Sequence, residues 1–193
     1  MKFIFIGILI CSFNFVYADA TSQANNDIID SPDLILDSLL TDLIKLTQKK
    51  PLDFQKLSQF LQKNMANYID FDYISRWTAG RYYRYLDPTQ KQNLSNQLKQ
   101  LILNALADRF IGYQVDELHI LSTERGQNGE VHVHIALDEA TGESPPLLFR
   151  FYHTQKSWMI FDIALNNHSL LNYYQYYFKT SMQRNQLKAF YGD

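Results

Sequence analysis

The spacing of apolar residues changes near Gly112 from helical to alternating, and this change constrains the fold more than any other feature. Before Gly112, apolar residues recur every three or four positions, as Leu36, Leu39, Leu40 and Leu43 do, which is typical of amphipathic helices. After it, they alternate with polar residues, as strands with one buried face do. A run of helices followed by a run of strands predicts an α+β fold.

Capping residues mark where the predicted helices begin and end. Ser31 offers an N-cap oxygen, and Pro32 occupies a first helical position, where its missing N–H costs nothing. In "DPTQ", Asp87 can cap a helix and Gln90 stands where a capping box places its partner. Gly80 tolerates the backbone conformation that ends a helix. Helices are predicted over 31–46, 51–68, 71–79, 87–110 and, closing the chain, 169–190.

Four segments of alternating pattern are predicted to form an antiparallel sheet, over 115–123, 129–138, 145–153 and 157–165. In the second segment, Val131, Val133 and Ile135 point to one face, whereas His132 and His134 point to the other. A four-stranded curved sheet with one apolar face and a helical layer against it is a cone-shaped, NTF2-like arrangement. Such an arrangement is predicted to hold an apolar cavity between sheet and helices.

The first 20 residues have the pattern of a secretory signal peptide. Lys2 is followed by "FIFIGILICSFNFV", which is too short for a membrane span, and "ADA" at 18–20 supplies a cleavage site, with cutting after Ala18 as the alternative. Residues 21–30 are polar and are predicted to be a disordered leader, and 31–193 one domain. The single cysteine, Cys11, lies in the segment to be removed, which excludes disulfides and cysteine chemistry from the mature chain.

Charge argues against a nucleic-acid partner. The chain of 193 residues has a formal net charge of -2, and no run of lysine or arginine with interleaved aromatic residues occurs in it. The sequence also contains no nucleophile elbow, phosphate loop or dinucleotide fingerprint, the motifs of common enzyme classes.

The histidines could bind a metal ion, and one aspartate could take part in catalysis. His132 and His134 share one face of a strand, and His119 and His153 lie on other strands of the predicted sheet, which is the pattern of a histidine metal site. The polar face of an amphipathic strand explains these histidines more simply. Asp162 lies in a strand between Phe161 and Ile163. It could act as the general base of a ketosteroid-isomerase-like enzyme, or accept hydrogen bonds that anchor the strand.

Aromatic residues are abundant, with 13 tyrosines and 13 phenylalanines. Tyrosine offers an apolar ring and a polar tip, which suits the rim of a cavity for an amphiphile. The alternative is that these rings fill an ordinary core.

Two blocks of sequence resemble the MlaC family, periplasmic phospholipid-binding proteins that are also known as toluene-tolerance auxiliary components of an ABC transporter. The first block is "NYIDFDYISRWTAGRYYRYLDPTQKQNL" and the second is "SWMIFDIALNNHSLLNYYQYYF". Tyr83 replaces a usual tryptophan, Asn167 a usual glycine and Gln175 a usual arginine, for which Lys179 could substitute.

This resemblance implies a soluble periplasmic carrier, neither an enzyme nor a cofactor protein. It would act as a monomer and move a phospholipid between an outer-membrane lipoprotein complex and an inner-membrane ABC transporter with an MCE-domain subunit, which maintains the lipid asymmetry of the outer membrane. An isomerase using Asp162 and an adaptor with a filled core are the alternatives. Residues predicted to enclose the lipid tails are Ile74, Trp77, Leu98, Ile102, Phe149, Phe151, Phe161, Ile163, Leu170 and Tyr174.

Overall fold

A computed structural model describes residues 31–47, 53–111, 118–139, 142–143, 146–166 and 168–183. The predicted signal peptide and leader lie outside these residues. So do Gly112, Asn167 and the part of the predicted closing helix that follows Gln183.

The described residues contain five α-helices, in the order that the apolar spacing predicts. They are α1 (Pro32–Thr47), α2 (Phe54–Phe60), α3 (Phe71–Ala79), α4 (Pro88–Ile111) and α5 (Leu170–Gln183). The sequence predicts that the second helix reaches Tyr68. In the structure, α2 is continued by a π-helical turn (Leu61–Met65) and a 3-10 turn (Ala66–Tyr68), so the helical segment ends at Tyr68 but changes type along its length. A further 3-10 helix, Gly80–Tyr85, follows α3.

The helix ends confirm the capping signals predicted at Asp87 and Gln90 and at Gly80. The Asp87 carboxylate accepts from the Gln90 N–H at 2.8 Å, and the Gln90 side chain accepts from the Asp87 N–H at 3.1 Å, so the capping box forms. Asp70 caps α3 by accepting from the Tyr73 N–H at 2.8 Å. Gly80 ends α3 with a φ of 52°, a conformation that residues with a Cβ rarely adopt.

One antiparallel sheet contains the four predicted strands and two short ones. The long strands are β1 (Leu118–Arg125), β2 (Val131–Glu139), β4 (Leu147–His153) and β5 (Trp158–Leu165), and the two-residue strands are β3 (Gly142–Glu143) and β6 (His168–Ser169). The strand order is β1-β2-β4-β5-β6, with β3 paired to β2. The α+β fold class is therefore confirmed.

The core lies between one face of this sheet and the helices. Phe149 pairs across the strands with Ile163, and Phe151 with Ile160, so these four side chains face the helices together. Helix α3 packs against α4, α5 and β5, whereas α1 packs against β1. The apolar faces of sheet and helices are thus buried against each other, which is the main source of stability in such a fold.

A β-bulge in β5 interrupts the alternation that the sequence suggests. Arg150 pairs with Asp162 and the next residue, Phe151, pairs with Ile160, which leaves Phe161 without a partner across the strands. The bulge carries the side chain of Phe161 to the face opposite Phe151, where its ring packs against Tyr152 at 5.9 Å between centroids. The expectation that Phe161 shares the inner face with Phe149 and Phe151 is therefore wrong.

Candidate functional site

An apolar pocket of about 320 Å³ opens between the sheet and the helices. Its walls come from the last turns of α4, the first residue of β4, the end of β5 and the first residue of α5. The residues that line it are Ala105, Leu106, Asp108, Arg109, Leu147, Ile163, Ala164, Leu165 and Leu170. Only Asp108 and Arg109 of this lining carry charge, so the pocket suits a hydrocarbon with a polar group at its mouth.

A small void of about 10 Å³ adjoins the pocket. Ile163 and Leu170 border both the void and the pocket, and Ile74, Ile102 and Leu171 line the void from the helices. The pocket and the void are therefore neighbours that these two side chains separate.

The pocket is smaller than the sequence suggests. A volume of 320 Å³ is at the lower end of the roughly 300–1,000 Å³ that ligand pockets span. Beyond it, Leu98, Phe149 and Phe151 fill the core with completely buried side chains. The apolar cavity between sheet and helices is present, and the buried side chains of the core limit its volume.

The ten residues predicted to contact lipid tails fall into three groups. Ile163 and Leu170 border the pocket, and Ile74, Ile102 and Phe161 border the void with them. Leu98, Phe149, Phe151 and Tyr174 are buried in the core beyond both cavities. Trp77 is 47% exposed and stacks on Tyr73, so its ring lies on the surface of α3.

Asp162 anchors the junction between β5 and α5. One carboxylate oxygen accepts from the Arg150 guanidinium at 2.6 Å, and the other accepts from the Leu171 N–H at 3.1 Å in the first turn of α5. The void beside Asp162 has about 10 Å³, no more than the roughly 10–15 Å³ that one water needs. This geometry favours the anchoring role over that of a general base, which needs room for a substrate.

An aromatic cluster covers the outer face of the sheet beside the bulge. The rings of Tyr73, Tyr152 and Phe161 pack against one another at 5.4–5.9 Å between centroids. The Tyr152 hydroxyl donates a hydrogen bond to the carboxylate of Asp70. Burial, followed by this bond to Asp70, raises the pKa of Tyr152 well above its usual range. Asp70 thus joins α3, which it caps, to β4.

The histidines do not assemble into a metal site within the described residues, where no three histidine, aspartate or glutamate side chains come together. His132 lies 3.3 Å from the Glu130 carboxylate, and the ring of His153 packs edge-on against Trp158. Among the described helices, none is both long and apolar enough to cross a membrane.

Sequence reasoning missed the pocket lining at the end of α4 and on the adjoining strands. The sequence contains the patterns that place these residues on the buried faces. Leu106 follows Ile102 by four residues on a helix, and Leu147 and Leu165 continue the strand alternation of Phe149 and Ile163. The pattern identifies the buried faces, but it does not show that packing is incomplete at one end of them.

Comparison with known proteins gives a family and a shared fold. Residues 35–191 match the family described as MlaC protein. The phospholipid-binding protein from Ralstonia solanacearum, solved in complex with a phospholipid, is similar in structure with a TM-score of 0.60 and 18% sequence identity, over 89% of this chain and 92% of that one. No curated protein matches this chain in sequence.

Proposed function

The chain belongs to the MlaC family, and on this premise we propose that it carries a phospholipid through the periplasm with the acyl tails held between sheet and helices. The observation that carries the proposal is the apolar pocket that continues, past Ile163 and Leu170, toward the void. The Ralstonia protein of the same fold, which was solved with a bound phospholipid, supports the choice of cargo.

The energetics of the cargo require an enclosed site. Two acyl chains of about sixteen carbons each would cost roughly 25 kcal/mol to expose to water, at about 0.8 kcal/mol per CH₂. A carrier must therefore bury most of both tails, whereas the headgroup can remain in water. Asp108 and Arg109, the charged residues of the pocket lining, place polar groups where the headgroup would meet solvent.

Loading requires the cavity to widen, because the pocket holds only part of the tails. The side chains between pocket and void are leucine and isoleucine, which can change rotamer without burying an unpaired polar group. Helix α5 contributes Leu170 to both cavities, so a small shift of α5 would join them. The lipid replaces the side-chain contacts that this shift removes.

Membership of the MlaC family supports a proposal for the transport route. We infer that the chain accepts and delivers lipid between an outer-membrane lipoprotein complex and an inner-membrane ABC transporter with an MCE-domain subunit. A signal peptide over residues 1–20 would bring it to the periplasm, where a mature domain of 31–193, preceded by a short leader, would act as a monomer without a cofactor.

Extraction of bound lipid tests the proposal. The protein is expressed with its signal peptide, purified without detergent, extracted with organic solvent and analysed by mass spectrometry. We expect phospholipid in near-equimolar amount with the chain. Ala105→Trp, which fills the pocket from α4, should lower that amount severalfold, whereas Leu101→Trp, on the exposed side of the same helix, should leave it unchanged. Folded protein without phospholipid would contradict the proposal.

A further inference from the structure

A second concave site lies on the other side of α5 from the apolar pocket. It is a groove of about 540 Å³ between the end of α3, the 3-10 helix that follows, and α5. We name it the basic groove, and its polar lining consists chiefly of Arg81, Tyr82, Asn172, Gln175, Tyr176 and Lys179. None of these residues lines the apolar pocket.

Charge in and around the basic groove is positive although the chain as a whole is negative. The described residues that line it include Arg81 and Lys179 but no carboxylate. The formal net charge of the chain is -2, but these two cations create a local positive field that attracts anionic groups.

The cations of the basic groove are available to a partner. Arg81 is exposed, and the hydrogen bond at 3.0 Å to the Tyr82 hydroxyl uses only one of its guanidinium donors. Lys179 is exposed and forms no ion pair with the described residues. Both cations can therefore form charge-assisted hydrogen bonds with carboxylates.

Two aromatic rings of the groove lining accompany these cations. Tyr176 is 72% exposed, and the Arg81 guanidinium lies over the Tyr82 ring, 5.0 Å from its centroid. Gln175 ties the two walls together by donating to the Trp77 carbonyl oxygen at 3.0 Å. Tryptophan, tyrosine and arginine are the residues that dominate binding energy at protein interfaces.

We propose that the basic groove docks an acidic segment of a partner protein. Its carboxylates would pair with Arg81 and Lys179, and its apolar side chains would pack against Tyr176 and Tyr82. The concave shape favours a protruding protein segment over a lipid bilayer, whose surface is flat on this scale. This docking does not depend on which cargo the pocket on the other side of α5 holds.

Binding of a labelled glutamate-rich peptide tests this assignment. The full chain is titrated by fluorescence anisotropy against that peptide, against the same peptide with glutamine for glutamate, and against vesicles containing phosphatidylglycerol. We expect binding of the acidic peptide alone, weakening with salt as exposed charge pairs do. Arg81→Glu with Lys179→Glu should weaken it about tenfold or more, equivalent to roughly 1.4 kcal/mol.

Two further variants separate the groove from general charge effects. Lys45→Glu with Lys63→Glu makes the same change in net charge on residues outside the groove and should leave peptide affinity nearly unchanged. Tyr176→Ala removes a groove ring without altering charge and should also weaken binding. Equal losses in the two charge-reversed variants, no peptide binding at all, or binding to the vesicles in place of the peptide would each overturn the proposal.

Discussion

At the scale of single residues, Asp162 links three elements through its two carboxylate oxygens. It lies in β5, accepts from Arg150 of β4 and accepts from the Leu171 N–H of α5. Asp162 is buried, whereas the Arg150 side chain is 28% exposed and can regain some water if the pair is lost. Asp162 therefore stabilises the junction that positions Leu170 at the pocket.

Asp162→Asn should lower the free energy of unfolding by about 1.5–3 kcal/mol, the range for hydrogen bonds to charged groups. Asparagine keeps an acceptor for the Leu171 N–H but removes the charge that faces Arg150. Urea unfolding at neutral pH measures the change. Asp42→Asn is the control, since it breaks an exposed pair with Lys45 that is worth at most about 1 kcal/mol. Equal effects of the two substitutions would show that Asp162 does not anchor the junction.

The phenol of Tyr174 links stability to alkaline pH. Burial, followed by the nearby Tyr173, raises the pKa of Tyr174 to about 12 from the usual tyrosine value of 10.0. Because the folded-state pKa is the higher one, this stabilising contribution is complete below pH 10 and is lost as the pH rises from 10 toward 12. Tyr174→Phe should therefore reduce the loss of unfolding free energy in that window.

Urea unfolding at a series of pH values across this window provides the measurement. Tyr176→Phe is the matched control on the same helix, because Tyr176 is largely exposed. An unchanged pH dependence in Tyr174→Phe would contradict the assigned cause.

At the scale of elements, local signals predicted where the helices begin and end. The capping box at Asp87 and Gln90 and the glycine stop at Gly80 depend on a few neighbouring residues, so the sequence displays them directly. The bulge in β5 lacked such a signal, because it depends on how β5 pairs with β4, far away in sequence. For the same reason, simple alternation placed Phe161 on the wrong face.

Removing the capping box at the start of α4 tests how much a local cap contributes to stability. Asp87→Ala should lower the free energy of unfolding by about 1 kcal/mol, since it leaves the Gln90 N–H without its acceptor. Thr89→Ala, in the same exposed turn, should change it by less than about 0.5 kcal/mol. Thermal unfolding measures both, and a neutral Asp87→Ala would mean that the cap contributes nothing to α4.

At the scale of the whole molecule, α5 separates two sites of different chemistry. Its first residue, Leu170, borders the apolar pocket, whereas Gln175, Tyr176 and Lys179 line the basic groove. The sequence predicted the apolar faces of the site, because burial follows periodicity. It could not predict the size of the pocket, which depends on how completely side chains from four elements fill a shared space.

Photocrosslinking with a phospholipid that carries a diazirine near the end of one acyl chain tests the central claim most directly. After illumination and proteolysis, mass spectrometry locates the adducts. We predict adducts on the linings of pocket and void, in peptides containing Ala105, Ile163 or Leu170, and their loss in Ala105→Trp. Adducts confined to the exposed rings at Trp77, Tyr85 and Tyr176, or adducts that persist unchanged in Ala105→Trp, would contradict a site between the sheet and the helices.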